Sequence, residues 1–168
     1  MSTFCTTAPG YTPGNTSWVF WTPRSGPGWR RSISWGFDHP GQRALWERAD
    51  VDAVYRRYYE IMLELCDSGL FGGVAHPDSI KCFGRLPRED MAERYAALAN
   101  ALNRNGMYAE NSGGLRLNYG ADCELGLNRD LLRALKGSGV MLRTASDAHR
   151  PSDTGAHVRE LQAMIDRQ

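Results

Sequence analysis

Apolar residues recur at helical spacing in several stretches of the chain, and short apolar runs fall between those stretches. Asp50-Val51-Asp52 is a helix-start signal. Val51, Val54, Tyr55, Tyr58, Tyr59, Met62, Leu63 and Leu65 follow at helical spacing until Gly69 stops the run. A short strand, Gly73-Val74-Ala75-His76, then ends at a proline. Met91, Tyr95, Leu98 and Leu102 share one face and predict a second helix over 88–105, with Gly106 as its stop. A second strand is expected over 107–111 and a third helix over 128–136, ended by Gly137 and Gly139. A third strand over 140–145 precedes a last helix that starts near Ser152-Asp153 and runs to the C-terminus. Strands alternating with helices indicate an α/β fold with parallel strands and right-handed crossovers. About three strong strands are too few for a closed barrel. A small open sheet and a piece of a larger α/β barrel both fit this order.

Composition adds a boundary. Residues 1–37 contain no Asp or Glu, and all 19 acids fall between Asp38 and Asp166. The same segment holds four of the five tryptophans and shows neither a helical nor a strand period. Residues 1–36 therefore read as an irregular arm, and 37–168 as the folded part of a single domain. A net charge of +1 provides no field for nucleic acid or a membrane surface. No stretch reaches the length of a membrane span, and the first thirty residues lack the order of a signal peptide. Cys5, Cys66, Cys82 and Cys123 lie far apart without a CxxC pair. That spacing argues against a zinc ribbon or a disulfide scaffold and suits free thiols in a cytoplasmic protein.

The candidate chemistry lies where the strands end, the place where parallel α/β folds collect functional side chains. The first strand ends in His76-Pro77-Asp78, the second in Glu110-Asn111-Ser112-Gly113-Gly114-Leu115-Arg116, and the third in Ser146-Asp147-Ala148-His149. Asp147 and His149 can present a carboxylate and an imidazole to one ion, a donor set that suits Zn, Mn or Fe. His76 adds a third donor from a neighbouring strand. Such an ion polarises a phosphoryl oxygen and acidifies a bound water. Lys81 and Arg116 are cations a few residues beyond their strands, and the Ser-Gly-Gly turn offers amides to an anion. Each residue also has an ordinary structural use. His76 suits a hydrogen-bonded strand end, Asp147 a helix cap, Arg116 a surface ion pair, and Asn111 a loop hydrogen bond. Glu110 suits a ligand, an orienting group or a salt-bridge partner. His157 reads as a solvated residue within the last helix, and His39 as a structural one.

The combination, in this order, resembles the PHP (polymerase and histidinol phosphatase) superfamily, and most of all its histidinol-phosphatase family. The carrying segments are residues 68–81 (SGLFGGVAHPDSIK), 109–116 (AENSGGLR) and 146–149 (SDAH), with 34–40 (SWGFDHP) upstream. AHPD and SDAH are shared across the superfamily, whereas ENSGGLR and WGFDHP favour the histidinol-phosphatase branch. The resemblance implies a distorted (β/α)7 barrel with a multinuclear metal centre at the strand rim. It implies His76, Asp147 and His149 as metal ligands, the latter two at the catalytic centre, and Lys81, Arg116 and Asn111 as substrate-binding residues. The implied reaction is hydrolysis of L-histidinol phosphate in histidine biosynthesis, by attack of a metal-bound hydroxide on phosphorus. Other PHP phosphoesterases, or a non-catalytic remnant that serves as an interaction module, are the alternatives.

The chain also departs from that family. Members open with a strand carrying HxH and later present a metal-binding Glu and a His at a strand end of the form GSVH. None of these occurs here, and residues 29–34 read WRRSIS where GSVH is expected. Residues 37–168 therefore correspond to the C-terminal part of the barrel, and the arm is expected to be a frame-shifted or mis-started reading. A partial barrel leaves strand edges unpaired, which favours self-association.

Overall fold

The computed structural model describes residues 40–120 and 122–167. The expected arm, His39 and nearly all of the 34–40 segment lie outside these residues. After a 3-10 turn at Pro40–Glu47, the elements are α1 (Val51–Asp67), β1 (Gly73–Val74), α2 (Ala92–Arg104), β2 (Tyr108–Ser112), α3 (Gly114–Asn118), α4 (Arg129–Gly137), β3 (Leu142–Ala145) and α5 (Val158–Arg167). The three strands form one parallel sheet in the order β1-β2-β3. The α/β class is as expected.

Local chemistry fixes most boundaries. The Asp50 carboxylate caps α1 by accepting from the Ala53 N–H at 3.1 Å. Gly69, at φ 68°, turns the chain out of it. Asn128 caps α4 in the same way, accepting from Leu131 N–H at 2.9 Å. β1 stops at Val74 rather than His76, β3 starts at Leu142 rather than near residue 140, and two helix starts differ by more. The second helix begins at Ala92 rather than near residue 88. The Asp52 carboxylate accepts the Arg88 and Glu89 N–H groups at 2.7 and 3.2 Å and keeps that segment outside the helix. The last helix begins at Val158, after a 3-10 turn at Pro151–Asp153. Gly155 and His157 stand in left-handed conformations between the two, at φ 81° and 60°, so helical geometry cannot run through them. His157 therefore precedes the helix instead of lying within it, and its Nδ1 is 3.2 Å from Glu160 Oε2.

The core lies between the helices and one face of the sheet. Tyr55, Tyr59 and Met62 of α1, Leu98 and Leu102 of α2, and Leu131 and Leu135 of α4 pack with Val74 and Ala109 of the strands. Tyr59 meets Tyr58 and Tyr95 edge-on, with ring centroids 5.4 and 5.3 Å apart. In β2, Ala109 and Asn111 are buried, whereas Tyr108 and Glu110, on the other face, are half-buried. The parallel ladder brings all three strands to the same rim at their C-terminal ends. No described helix is long and apolar enough to cross a membrane.

Candidate functional site

The rim is held together by contacts from strand to strand. Gly113 N–H donates to the Ala145 carbonyl at 2.9 Å, which fastens the end of β2 to the end of β3. Gly114 N–H donates to Ser112 Oγ at 3.1 Å. These two amides are thus engaged within the protein, a correction to the expectation that the Ser-Gly-Gly turn offers them to an anion. Gly114 has another reason to be glycine. A Cβ there would lie 2.0 Å from Asp147 Oδ2, so the missing side chain makes the room that the carboxylate fills. Asn118, at the end of α3, donates from Nδ2 to the Asp147 carbonyl at 3.1 Å.

Two of the expected donors sit on strained backbone. His76 has φ 32° and Asp147 has φ 53°, both left-handed, a conformation non-glycine side chains rarely adopt. Such strain gathers at functional sites, where the surrounding structure enforces it. His76 is buried, which holds its imidazole below the usual histidine range. The Asp147 charge opposes that shift and His149 adds to it, so the three groups lie close enough to influence one another. A neutral imidazole is the form that ligates metals. Asp147 Oδ1 and His149 Nε2 are 3.8 Å apart, and the His149 side chain is 42% exposed and so accessible at the rim.

Glu110 faces the same region. Burial, reinforced by the Asp147 charge, pushes its carboxyl up to about 7, while a hydrogen bond from the His76 backbone N–H and the nearby Arg143 charge oppose the shift.

The other expected residues are placed differently. Lys81 is buried, and its ammonium contacts Asp78 Oδ2 at 2.6 Å, Glu124 Oε2 at 2.7 Å and the Gly126 carbonyl at 2.8 Å. An ammonium has three N–H donors, and three protein acceptors surround this one. Asn111 is fully buried as well. Its Nδ2 donates to the Leu161 carbonyl at 3.0 Å, and its Oδ1 accepts from Leu127 N–H at 2.8 Å. The structure thus places both residues inside the protein, tying distant segments together. Arg116 is half-buried on α3, with Nε donating to the Cys123 carbonyl at 3.2 Å.

Sequence reasoning missed the partners in this network. Asp78 accepts from both Asn128 N–H and Asn128 Nδ2, at 2.8 and 3.1 Å, and Asn128 Nδ2 also reaches Tyr95 Oη at 3.2 Å. Only the capping role of Asn128 carries a local signal. Its contact with Asp78, 50 residues away, has none.

Among the described residues, no group of three or more His, Cys, Asp or Glu side chains is gathered as a metal cage. The rim does supply a donor set of suitable chemistry: the Asp147–His149 pair, a neutral His76 beside it, and the cradle at Gly114 that accommodates the carboxylate.

No family model matches the chain. A search of curated proteins finds it similar to a protein of Deinococcus radiodurans named "Probable histidinol-phosphatase". The two are 32% identical over 123 residues, which is 73% of this chain and 45% of the relative. The chain thus spans somewhat less than half the length of the curated relative it matches, a likeness in keeping with the family that its strand-end motifs resemble.

Proposed function

We propose that the strand-end rim is the site of a metal-dependent phosphatase that hydrolyses L-histidinol phosphate to L-histidinol and phosphate. The proposed setting is a partial (β/α)7 barrel in a cytoplasmic protein of histidine biosynthesis, with no nucleic-acid partner. Among the described residues β1 and β3 have no further strand beside them, and such open edges favour self-association. The observation that carries the reading is the meeting of two strand ends. Asp147 and His149 from β3 stand 3.8 Å apart, beside a buried, neutral His76 from the end of β1. The relative's name supports the substrate class.

His76, Asp147 and His149 would hold a divalent ion of the Zn, Mn or Fe kind. When bound, that ion supplies polarisation of a phosphoryl oxygen and acidification of a bound water. The chain's own residues prepare the place. Burial keeps His76 neutral. Gly114 leaves the space that the Asp147 carboxylate occupies. Arg116, anchored through Nε to the Cys123 carbonyl, brings a guanidinium to α3, just after β2, where it suits a phosphate. Lys81 and Asn111 act beneath the rim as ties that hold its loops.

The test is phosphate release from L-histidinol phosphate by the 168-residue chain with Mn²⁺ or Zn²⁺, beside Asp147→Ala. Turnover that disappears in the variant supports the reading. Turnover that is equal in both, or absent from the parent chain, overturns it.

A further inference from the structure

A 3-10 turn, Ser79–Lys81, follows β1, and the loop between α3 and α4 is fastened to it at two neighbouring residues on each side. Lys81 Nζ donates to Glu124 Oε2 at 2.7 Å, and Cys123 Sγ donates to the Cys82 carbonyl at 3.5 Å. The peptide unit that joins Cys123 to Glu124 is thus held at both of its ends. Its carbonyl is the one that accepts from Arg116 Nε at 3.2 Å. The described residues of 119–128 form neither helix nor strand, so the place of that carbonyl depends on the contacts its neighbours make.

The two fastenings differ in strength. A thiol is a weak donor, whereas an ammonium bonded to a carboxylate is charge-assisted, so Glu124 supplies most of the hold. Its partner is a fixed anchor: Lys81 is buried and bonded to Asp78 Oδ2 at 2.6 Å from the inside. Glu124 is the outer partner, with its side chain 51% exposed. Removing Glu124 leaves the ammonium with Asp78 and the Gly126 carbonyl, so the buried pair survives. Arg116 gains orientation from the arrangement. Nε carries one of the five guanidinium N–H groups, so a bond there fixes the plane of the group without consuming the Nη pair that forks onto a phosphate.

We propose that Glu124 is a positioning residue: through its bond to Lys81 it fixes the Cys123 carbonyl on which Arg116 rests, and so orients the guanidinium that receives the substrate phosphate. The inference rests on the reading of Arg116 as the phosphate-binding residue. It gives Lys81 the part of buried anchor, and Glu124 acts on the phosphate only through Arg116.

The experiment compares the full chain with Glu124→Gln, Glu124→Ala, Arg116→Lys and the double variant Arg116→Lys, Glu124→Ala. The Arg116 Nε–H signal, identified by its loss in Arg116→Lys, is followed by NMR, and inorganic phosphate is titrated by calorimetry. Glu124→Gln keeps an acceptor at the same reach, so Nε–H stays protected and phosphate affinity is retained. Glu124→Ala removes the acceptor, so exchange of Nε–H with water accelerates about tenfold and phosphate affinity falls about tenfold. In the Arg116→Lys background, Glu124→Ala costs no further affinity, because its effect passes through Arg116. Thermal midpoints stay close to the parent's, which separates positioning from general destabilisation. Should Glu124→Ala fail to fold, Glu124→Asp, which withdraws the acceptor by one methylene, takes its place. Equal protection of Nε–H in the parent and Glu124→Ala overturns the proposal, as does a Glu124→Gln variant as impaired as Glu124→Ala, or losses that simply add in the double variant. Phosphate bound by none of the proteins, with the Nε–H pattern as expected, overturns the reading of Arg116 as the phosphate residue and leaves the hold of Glu124 on Arg116 established.

Discussion

The polar residues at the strand ends divide into two groups. On the side of β1 and β2 the polar atoms are closed off: Asp78 is bonded to Lys81 and Asn128, Lys81 also to Glu124 and the Gly126 carbonyl, and Asn111 to the Leu127 N–H and the Leu161 carbonyl, with partners as far as 50 residues away. On the side of β3, Asp147 and His149 are partly open to solvent and 3.8 Å apart, on a backbone that Asp147 holds in a left-handed conformation. Both groups look alike in the sequence, as polar clusters after strands. What separates them is where their hydrogen bonds go. A buried polar group needs its partners, and once it has them it serves stability. An exposed, strained pair adds little to stability and can turn toward a ligand.

Substitutions in the closed network should therefore unfold the protein, and those in the open pair should not. The largest effect is expected for Lys81→Met. It leaves the Asp78 carboxylate buried without its ammonium, and breaking a buried pair in this way costs about 3–5 kcal/mol. Chemical denaturation measures it. A loss below about 1 kcal/mol would show the pair to be dispensable and blur the comparison.

Asn111→Ala comes next. It strands the Leu127 N–H and the Leu161 carbonyl in the interior, at about 1–3 kcal/mol for each unsatisfied group. The same denaturation curves check it, and Asp147→Ala should stay within about 1 kcal/mol of the parent.

Glu110 makes stability depend on pH in the metal-free chain. Folding raises its pKa from 4.5 to about 7. Across that window the folded protein keeps a proton that the unfolded chain has released. Its contribution is thus complete at low pH, declines as pH rises through the window, and is gone above it. The expected decline is on the order of 3 kcal/mol. Thermal midpoints measured from pH 4 to pH 8 should lose this slope in Glu110→Gln, and a slope that persists there assigns it to another group.

The smallest effect is expected for Arg57→Ala. Its ion pairs with Glu60 and Glu64 lie at the surface, with all three side chains more than half exposed, so the denaturation midpoint should not move measurably.

Legibility in the sequence follows the range of the forces involved. The faces of α1, α2 and α4 could be read because Tyr55, Tyr59, Leu98, Leu102 and Leu131 repeat at helical spacing, a local property. The start of α2 could not, because it is set by Asp52, 36 residues before Arg88. The five-residue helix α3 was not foreseen, since it begins at Gly114 where the sequence shows only a turn. At the rim, the motifs drew attention to His76, Asp147 and His149, which lie close enough for their charges to influence one another. They were silent on the surroundings of Lys81, because Glu124 reaches it from 43 residues away. Motifs identify residue types at strand ends, and only packing decides which of them turn inward.

The account rests on the claim that the open pair is where a divalent ion binds. Calorimetric titration of Zn²⁺ into the 168-residue chain and into Asp147→Ala, with thermal midpoints recorded on the same samples, tests it most directly. The account predicts binding to the parent, loss of binding in the variant, and similar midpoints without metal. Equal binding by both proteins would contradict it and move the ion away from Asp147.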